Sequence, residues 1–402
     1  MTKIKGPALM AILLTLIVLL DAADRAVLVH NSLKDINACQ GKLKLKPVRV
    51  WGGDKEEDEN KFFKTPISVA MDKNNLLYIC DMHNNCIKVF ESVSGKYIRT
   101  LGKHGKGPGD LYGPSATAFS SGGDLWVGEW YGYRIQLFSP EGKSKKIIKS
   151  KDRPIWIGIT SKDDMAIYYH DRAIKTGKLI AIFNTDGKEL KDIGTYHDKS
   201  KNYMDSIKLA FAMDDNDNIY ASYMSIPIIR KYSPDGILLL AIIFEYPFET
   251  EPVEITLNAE SNEINIMREN EIFSQVQKNK RGVTIQAIIN KGKPRMGAHV
   301  IGTDSQKRIY AVTLKRYPSQ KEMMATAITG GPNALNRDRV NYDIVENIDI
   351  YRLLVFSPEG KVIAEAQLKG YCDAMYINGN RLFIVDGYLN QRVLEYEMTF
   401  EQ

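Results

Sequence analysis

Few residues in this chain are equipped for chemistry, and no local motif groups them. The 402 residues include only six histidines and four cysteines. There is no H-E-x-x-H metal motif and no G-x-S-x-G nucleophile motif. The Gly-rich run GKHGKGPGD from Gly102 lacks the Lys-Ser/Thr ending of a phosphate loop and leads into a strand-like segment. Any site must therefore be assembled from distant segments. One candidate set is His299 with Asp205, Glu251 and Asp373. Zinc would use three or four such ligands at about 2.0–2.2 Å, whereas an oxygen-rich set favours calcium. A second set suits recognition: Trp130, Tyr131, His83, Arg153, His170 and Tyr388. Aromatic faces of this kind stack on sugars, peptides or flat ligands, and nearby polar groups fix orientation.

Composition restricts the classes. Apolar residues make up 44% and charged residues 26%, a globular balance that excludes long disorder. The net charge of +5 comes from 54 basic and 49 acidic residues, too even for the concentrated basic face of a nucleic-acid binder. Lys3 and Lys5 precede an apolar run from Ala8 to Leu20, and Asp21 ends it. Thirteen residues are short for a bilayer span and match a signal-peptide core. Residues 1–23 are thus expected to direct export to the periplasm or outside the cell, with membrane anchoring if the segment is retained. An oxidising destination would permit disulfides, Cys80–Cys86 across a turn or Cys39–Cys372 between the chain ends; free thiols are the other reading.

The elements that must position these residues are short strands. From Pro66, the segment PISVAMDKNNLLYICDMHNNCIKVFESVSGKYIRTLG alternates apolar and polar residues through four runs separated by polar turns. That period of two marks a four-stranded antiparallel unit. Copies follow from Pro114, Pro154 and Ile207. A degenerate fifth starts at Pro252, a sixth at His299 and a seventh at Cys372. The third-run residue recurs at Phe90, Phe138, Phe183, Tyr232, Val276, Phe356 and Tyr396, in steps of 48, 45, 49, 44, 80 and 40 residues. The long step is one period plus an insertion at about 313–348. Within it, Ser319 and Glu322 form a capping-box pattern that opens a helix.

A fixed period with four strands per copy predicts an all-β fold, a single β-propeller. Seven blades are counted; six is the alternative if the fifth copy is an inserted hairpin. The seventh copy lacks its fourth strand, and LKPVRVW from Leu45 supplies it, closing the ring. Residues 24–44 form an N-terminal arm, and 45–400 the propeller.

The segment YICDMHNNCIKVF resembles an NHL repeat, whose pattern is aromatic-x-x-Asp-x-x-Asn-x-Arg-Ile-x-x-Phe. Asp81, Asn84, Ile87 and Phe90 match, and Cys86 replaces the Arg. The second copy matches through Arg134, Ile135 and Phe138, with Glu129 for the Asp and Gly132 for the Asn; the last keeps Asp386, Asn390 and Arg392. NHL-like propellers commonly have six blades, and they include binding modules as well as lyases with a metal in the tunnel.

In such a ring, loops leading into each inner strand share a face with loops joining strands two and three. This rule gathers both candidate sets at one mouth. The expectation is a non-catalytic scaffold for an unknown protein, peptide or glycan, with no cofactor and no nucleic acid. The alternative is a zinc- or calcium-dependent lyase or hydrolase. Turn carboxylates Asp72, Asp214 and Asp304 fall on the opposite face, where they should accept backbone hydrogen bonds.

Overall fold

The computed structural model describes residues 26–53, 56–195, 209–223, 226–248, 253–258, 263–268, 277–278, 284–285, 298–319, 321–322 and 348–401. Alternating runs become antiparallel strands, four to a sheet. Blade 1 comprises Pro66–Met71, Leu76–Asp81, Cys86–Glu91 and Tyr97–Leu101, from the axis outward. Blade 2 begins at Pro114–Phe119 and ends at Ser144–Lys149. Blade 3 runs from Pro154–Ile159 to Glu189–Thr195, and blade 4 from Leu209–Met213 to Leu238–Phe244. Blade 5 spans Val300–Thr303 to Val362–Leu368, with its second and third strands, Ile309–Leu314 and Tyr351–Phe356, bracketing the expected insertion. Blade 6 combines Ala374–Asn378, Arg381–Asp386 and Arg392–Phe400 with the N-terminal strand Leu43–Gly52. The expected closing strand is therefore present.

The ring has six blades, not seven. The inner strand of blade 4 neighbours that of blade 5 directly, and the remaining inner strands follow in order around the axis. The fifth copy forms two separate hairpins, Val253–Asn258 with Glu263–Arg268 and Gln277–Lys278 with Thr284–Ile285. Neither joins a four-stranded sheet. Alternation reports a strand with two unlike faces; it does not report membership of the ring. Val276, where the other copies carry an aromatic ring, lies outside the described residues.

Proline opens the inner strands of blades 1, 2 and 3, at Pro66, Pro114 and Pro154, and each is followed by a register shift. An inner strand is an edge strand facing the axis, so a missing N–H there costs no ladder bond. Hydroxyls join adjacent inner strands. Ser68 and Thr117 meet at 3.0 Å, Ser115 donates to the Pro154 carbonyl at 2.7 Å, and Thr303 donates to that of Met213 at 2.6 Å. Third-strand aromatics fill the space between sheets: Phe90, Phe138 and Phe356 are fully buried. Trp51 of the closing strand meets Phe90 edge-on at 5.2 Å.

The N-terminal arm does more than reach blade 6. Val27–Asn31 adds a fifth, parallel strand to the outer edge of blade 4. Asn31, buried, donates to the carbonyls of Ile243 at 3.3 Å and Gly360 at 2.9 Å, and accepts from the Val362 N–H at 2.7 Å. The short helix Leu33–Asn37, with a capping box from Ser32 and Asp35, carries the chain to blade 5. There Gln40 bridges to Glu365. The arm thus covers outer edges that would otherwise expose unpaired backbone.

All four cysteines are buried free thiols, so neither disulfide is present. Cys80 pairs with Ile87, and Cys86 with Asp81. The one-residue offset sends the two side chains to opposite faces of the sheet. Residues 1–25 lie outside the described set, and no helix among the described residues is long and apolar enough to cross a membrane.

Asn31→Ala should cost about 1–3 kcal/mol of stability, because the buried Gly360 and Val362 backbone groups lose their partner. Urea unfolding of the variant would check this, and an unchanged midpoint would contradict the strap.

Candidate functional site

A carboxylate at the end of the second strand fixes the mouth loops. In blade 1, Asp81 accepts from the N–H groups of Thr65 (2.8 Å) and Lys64 (2.9 Å) and from Asn84 Nδ2 (2.8 Å). In blade 2, the fully buried Glu129 accepts from the Tyr112 N–H, Arg134 Nε and Gln136 Nε2, all within 2.8 Å. Arg134 also donates to the carbonyls of Lys106 and Asp110. In blade 6, Asp386 holds Asn390 at 2.6 Å and Arg392 at 3.1 Å. Blade 1 has Cys86 where the others have Arg. Lys88, two residues on, donates instead to the lead-in carbonyls of Glu59 (2.5 Å) and Phe62 (2.6 Å).

These pins set the candidate residues. Thr65, held by Asp81, meets His83 Nδ1 at 2.7 Å. Tyr112, held by Glu129, lies 5.4 Å from the ring of Tyr131, and His104 stands edge-on to Tyr112 at 5.2 Å. Tyr131 continues to His83, ring to ring at 6.4 Å and hydroxyl to Nε2 at 3.5 Å. The result is an unbroken row, His104–Tyr112–Tyr131–His83, across blades 1 and 2. Gly113 makes room for it: φ is +62°, and a Cβ there would lie 2.2 Å from the Tyr131 ring. Tyr388 approaches Tyr131 from blade 6, and burial holds its phenol above the usual range, with Asp373 and Tyr131 adding to the effect.

Trp130 and Arg153 form a second group beside the row. The Arg153 guanidinium lies over the rings of Trp130 (5.4 Å) and Tyr133 (5.6 Å), and its Nε donates to the Tyr133 hydroxyl at 2.7 Å. Asp171 stands 3.6 Å from it. Tyr133 is exposed. His170 begins the helix His170–Thr176 at the same mouth; its side chain lies outside the described set. Five of the six candidate residues therefore have described side chains, and the topology brings all six positions to one face. Tyr112 and His104 were missed, because they sit in a Gly-rich lead-in segment that reads as a linker.

The proposed metal set is only partly visible. Asp205 and Glu251 lie outside the described residues. His299 is edge-on to Tyr351 at 5.6 Å, and Tyr351 to Tyr371 at 5.5 Å. Asp373 Oδ2 accepts from the N–H groups of Gly387 (2.9 Å) and Tyr388 (3.0 Å). Among the described residues, no three His, Cys, Asp or Glu side chains are grouped to hold a metal ion.

Part of Asp373 is accessible, yet protein crowds its carboxyl. Burial raises it to about 7, the charge of Asp386 adds to the rise, and the two backbone N–H groups oppose it. The axis itself is crossed. Trp156, on the inner strand of blade 3, packs both on the core of blades 3 and 4 and on the cluster of Val69, Met71 and Ala374 from blades 1 and 6. Blade 2 separates blades 1 and 3, so that contact passes through the centre of the ring.

The raised carboxyl has a definite sign. The folded protein holds a proton on Asp373 at pH values where the unfolded chain, near 3.8, has released it. This contribution to stability is therefore lost as pH rises from about 4 to 7 and is level above. The stability difference between wild type and Asp373→Asn, followed by urea unfolding, should fall across that window. A flat difference would contradict the assignment.

Residues 63–90 match the NHL repeat. No curated protein matches the sequence. Among solved structures, a protein from Bacteroides fragilis described as exported superposes with a TM-score of 0.55 at 9% identity, covering 94% of this chain and 100% of that one. A member of the DUF4221 family from Bacteroides vulgatus gives 0.52 at 8%, covering 90% and 99%. Virginiamycin B lyase from Staphylococcus aureus gives 0.44 at 10%, covering 89% and 100%. Likeness at these identities concerns the fold and carries nothing about activity. With six four-stranded blades and the Asp81 repeat in place, the chain is an NHL-repeat-containing β-propeller.

Proposed function

We propose that the chain is a non-catalytic binding module, exported from the cytoplasm, that captures a polar ligand with a flat face at the mouth of blades 1, 2 and 6. The row His104–Tyr112–Tyr131–His83 carries this reading. It offers contiguous aromatic faces for stacking and imidazole and phenol edges for hydrogen bonds, the combination that suits a sugar or a peptide. Trp156 across the axis supports it further, since a shallow mouth serves a binder whereas tunnel chemistry needs depth.

One observation favours the alternative, a metal-dependent lyase or hydrolase. A carboxyl near neutrality at a loop-lined mouth is suited to proton transfer. In that reading His299 and Asp373, with Asp205 and Glu251, would hold the cation, Asp373 only after losing its proton, and the cation would polarise a substrate oxygen or activate water.

Two measurements separate the readings. Glycan and peptide arrays probed with the purified protein should give ligands whose capture falls at least tenfold in Trp130→Ala and Tyr131→Ala at unchanged melting temperature. Equal capture by wild type and both variants would exclude this mouth. Elemental analysis before and after chelation should find no stoichiometric metal; zinc or calcium retained at one per chain would install the enzyme in its place.

A further inference from the structure

The first-to-second-strand turns on the opposite face repeat one device. In blade 1, Asp72 accepts from the N–H groups of Asn74 and Leu76. In blade 4, Asp214 accepts from those of Asn216 and Asn218, from the Asn218 amide and from the Tyr220 hydroxyl. In blade 5, Asp304 accepts from the Gln306 and Arg308 N–H groups, both at 3.0 Å, from the Tyr310 hydroxyl at 2.9 Å and from Arg308 Nε at 2.6 Å. The fourth residue after the Asp is Leu76, Asn218 or Arg308. An asparagine there satisfies the turn, so the arginine brings more than the turn uses.

The surplus faces a cleft. A cavity of about 180 Å³ lies between the turns of blades 5 and 6, lined among others by Asp304, Ser305, Gln306, Arg308, Asn380 and Phe400. Arg308 stacks on the Phe400 ring at 4.1 Å, which fixes the plane of its guanidinium. Nε is spent on Asp304, and the Tyr310 ring stands 6.0 Å away. Beyond Asp304 and the Tyr310 hydroxyl, which also interacts with the guanidinium, no described residue takes up its outer nitrogens, and the side chain remains one-fifth exposed. Asp304 is saturated by its four donors and 3% exposed, so it does not present a competing free carboxylate to the cleft.

We propose that this cleft is a second binding site, separate from the mouth, and that it takes a small oxyanion, a phosphate or carboxylate group, on the outer fork of Arg308. A fixed guanidinium matches two oxygens of such a group at once. The hydroxyl of Ser305 and the amides of Gln306 and Asn380 line the same space and can donate to the remaining oxygens. The volume is below the range of ordinary ligand pockets, about 300–1,000 Å³, which limits the occupant to a single small anion or the terminal group of a longer molecule.

Equilibrium dialysis of the full chain against labelled inorganic phosphate, and separately labelled acetate, at constant ionic strength tests this. At least one probe should bind saturably at one site per chain. Arg308→Asn, the residue blade 4 uses, should weaken that binding at least tenfold with a melting temperature within a few degrees of wild type. Arg308→Lys should fall between the two. Trp130→Ala should bind as wild type does, which separates this site from the mouth. Binding of phosphate alone assigns a phosphoryl group, of acetate alone a carboxylate, and of both their shared geometry. Saturable binding of neither probe, or equal binding by Arg308→Asn, would overturn the proposal.

Discussion

The mouth of blades 1, 2 and 6 depends on a carboxylate placed where the second strand ends. In blades 1 and 2 it gathers backbone N–H groups from the loop leading into the same blade, so the loop is tied to the sheet by bonds among the strongest available to neutral donors. The cost of burying the charge is offset by three or more donors, including Arg134 in blade 2. The tie is tolerant of substitution in a specific way. Blade 1 gives up the arginine, and Lys88 reaches the same class of carbonyl from two residues further along the same face of the strand.

Closure of the ring follows a second constraint, that sheet edges be covered. The chain uses its N-terminal segment twice, first as a parallel strand on blade 4 and then as the outer strand of blade 6. Between them, Asn31 and the Gln40–Glu365 bridge reach blade 5. Three consecutive blades are laced by one run of about 25 residues. The chain leaves the ring after blade 4 and re-enters it at blade 5, within the arc that the arm laces from outside.

Much of this was legible in the sequence. The four-strand period, the closing strand, the shared face and the turn carboxylates follow from alternation, spacing and chain direction, which are local or topological properties. The blade count did not follow, because Val253–Asn258 and Glu263–Arg268 alternate as a blade would. Only pairing partners separate a blade from a hairpin. The Cys80–Cys86 pairing failed by one residue, a shift that alternation does not detect but that reverses the face. Tyr112 and His104 escaped because side chains in glycine-rich loops take their positions from hydrogen bonds to Glu129 and its partners, not from any periodicity. Trp156 reads as one more apolar residue in PIWIGI; its crossing of the axis is a fact of three dimensions.

The direction of the first strand has a consequence for presentation. Val27–Asn31 runs parallel to Leu238–Phe244, whose C-terminal end opens onto the mouth. Val27 therefore stands toward the far side, where Leu28 and Ile237 are also exposed. Ala26 lies at that same far side, opposite the mouth. Anything bound on that far face would leave the aromatic row open to solution and would lie against the Arg308 cleft.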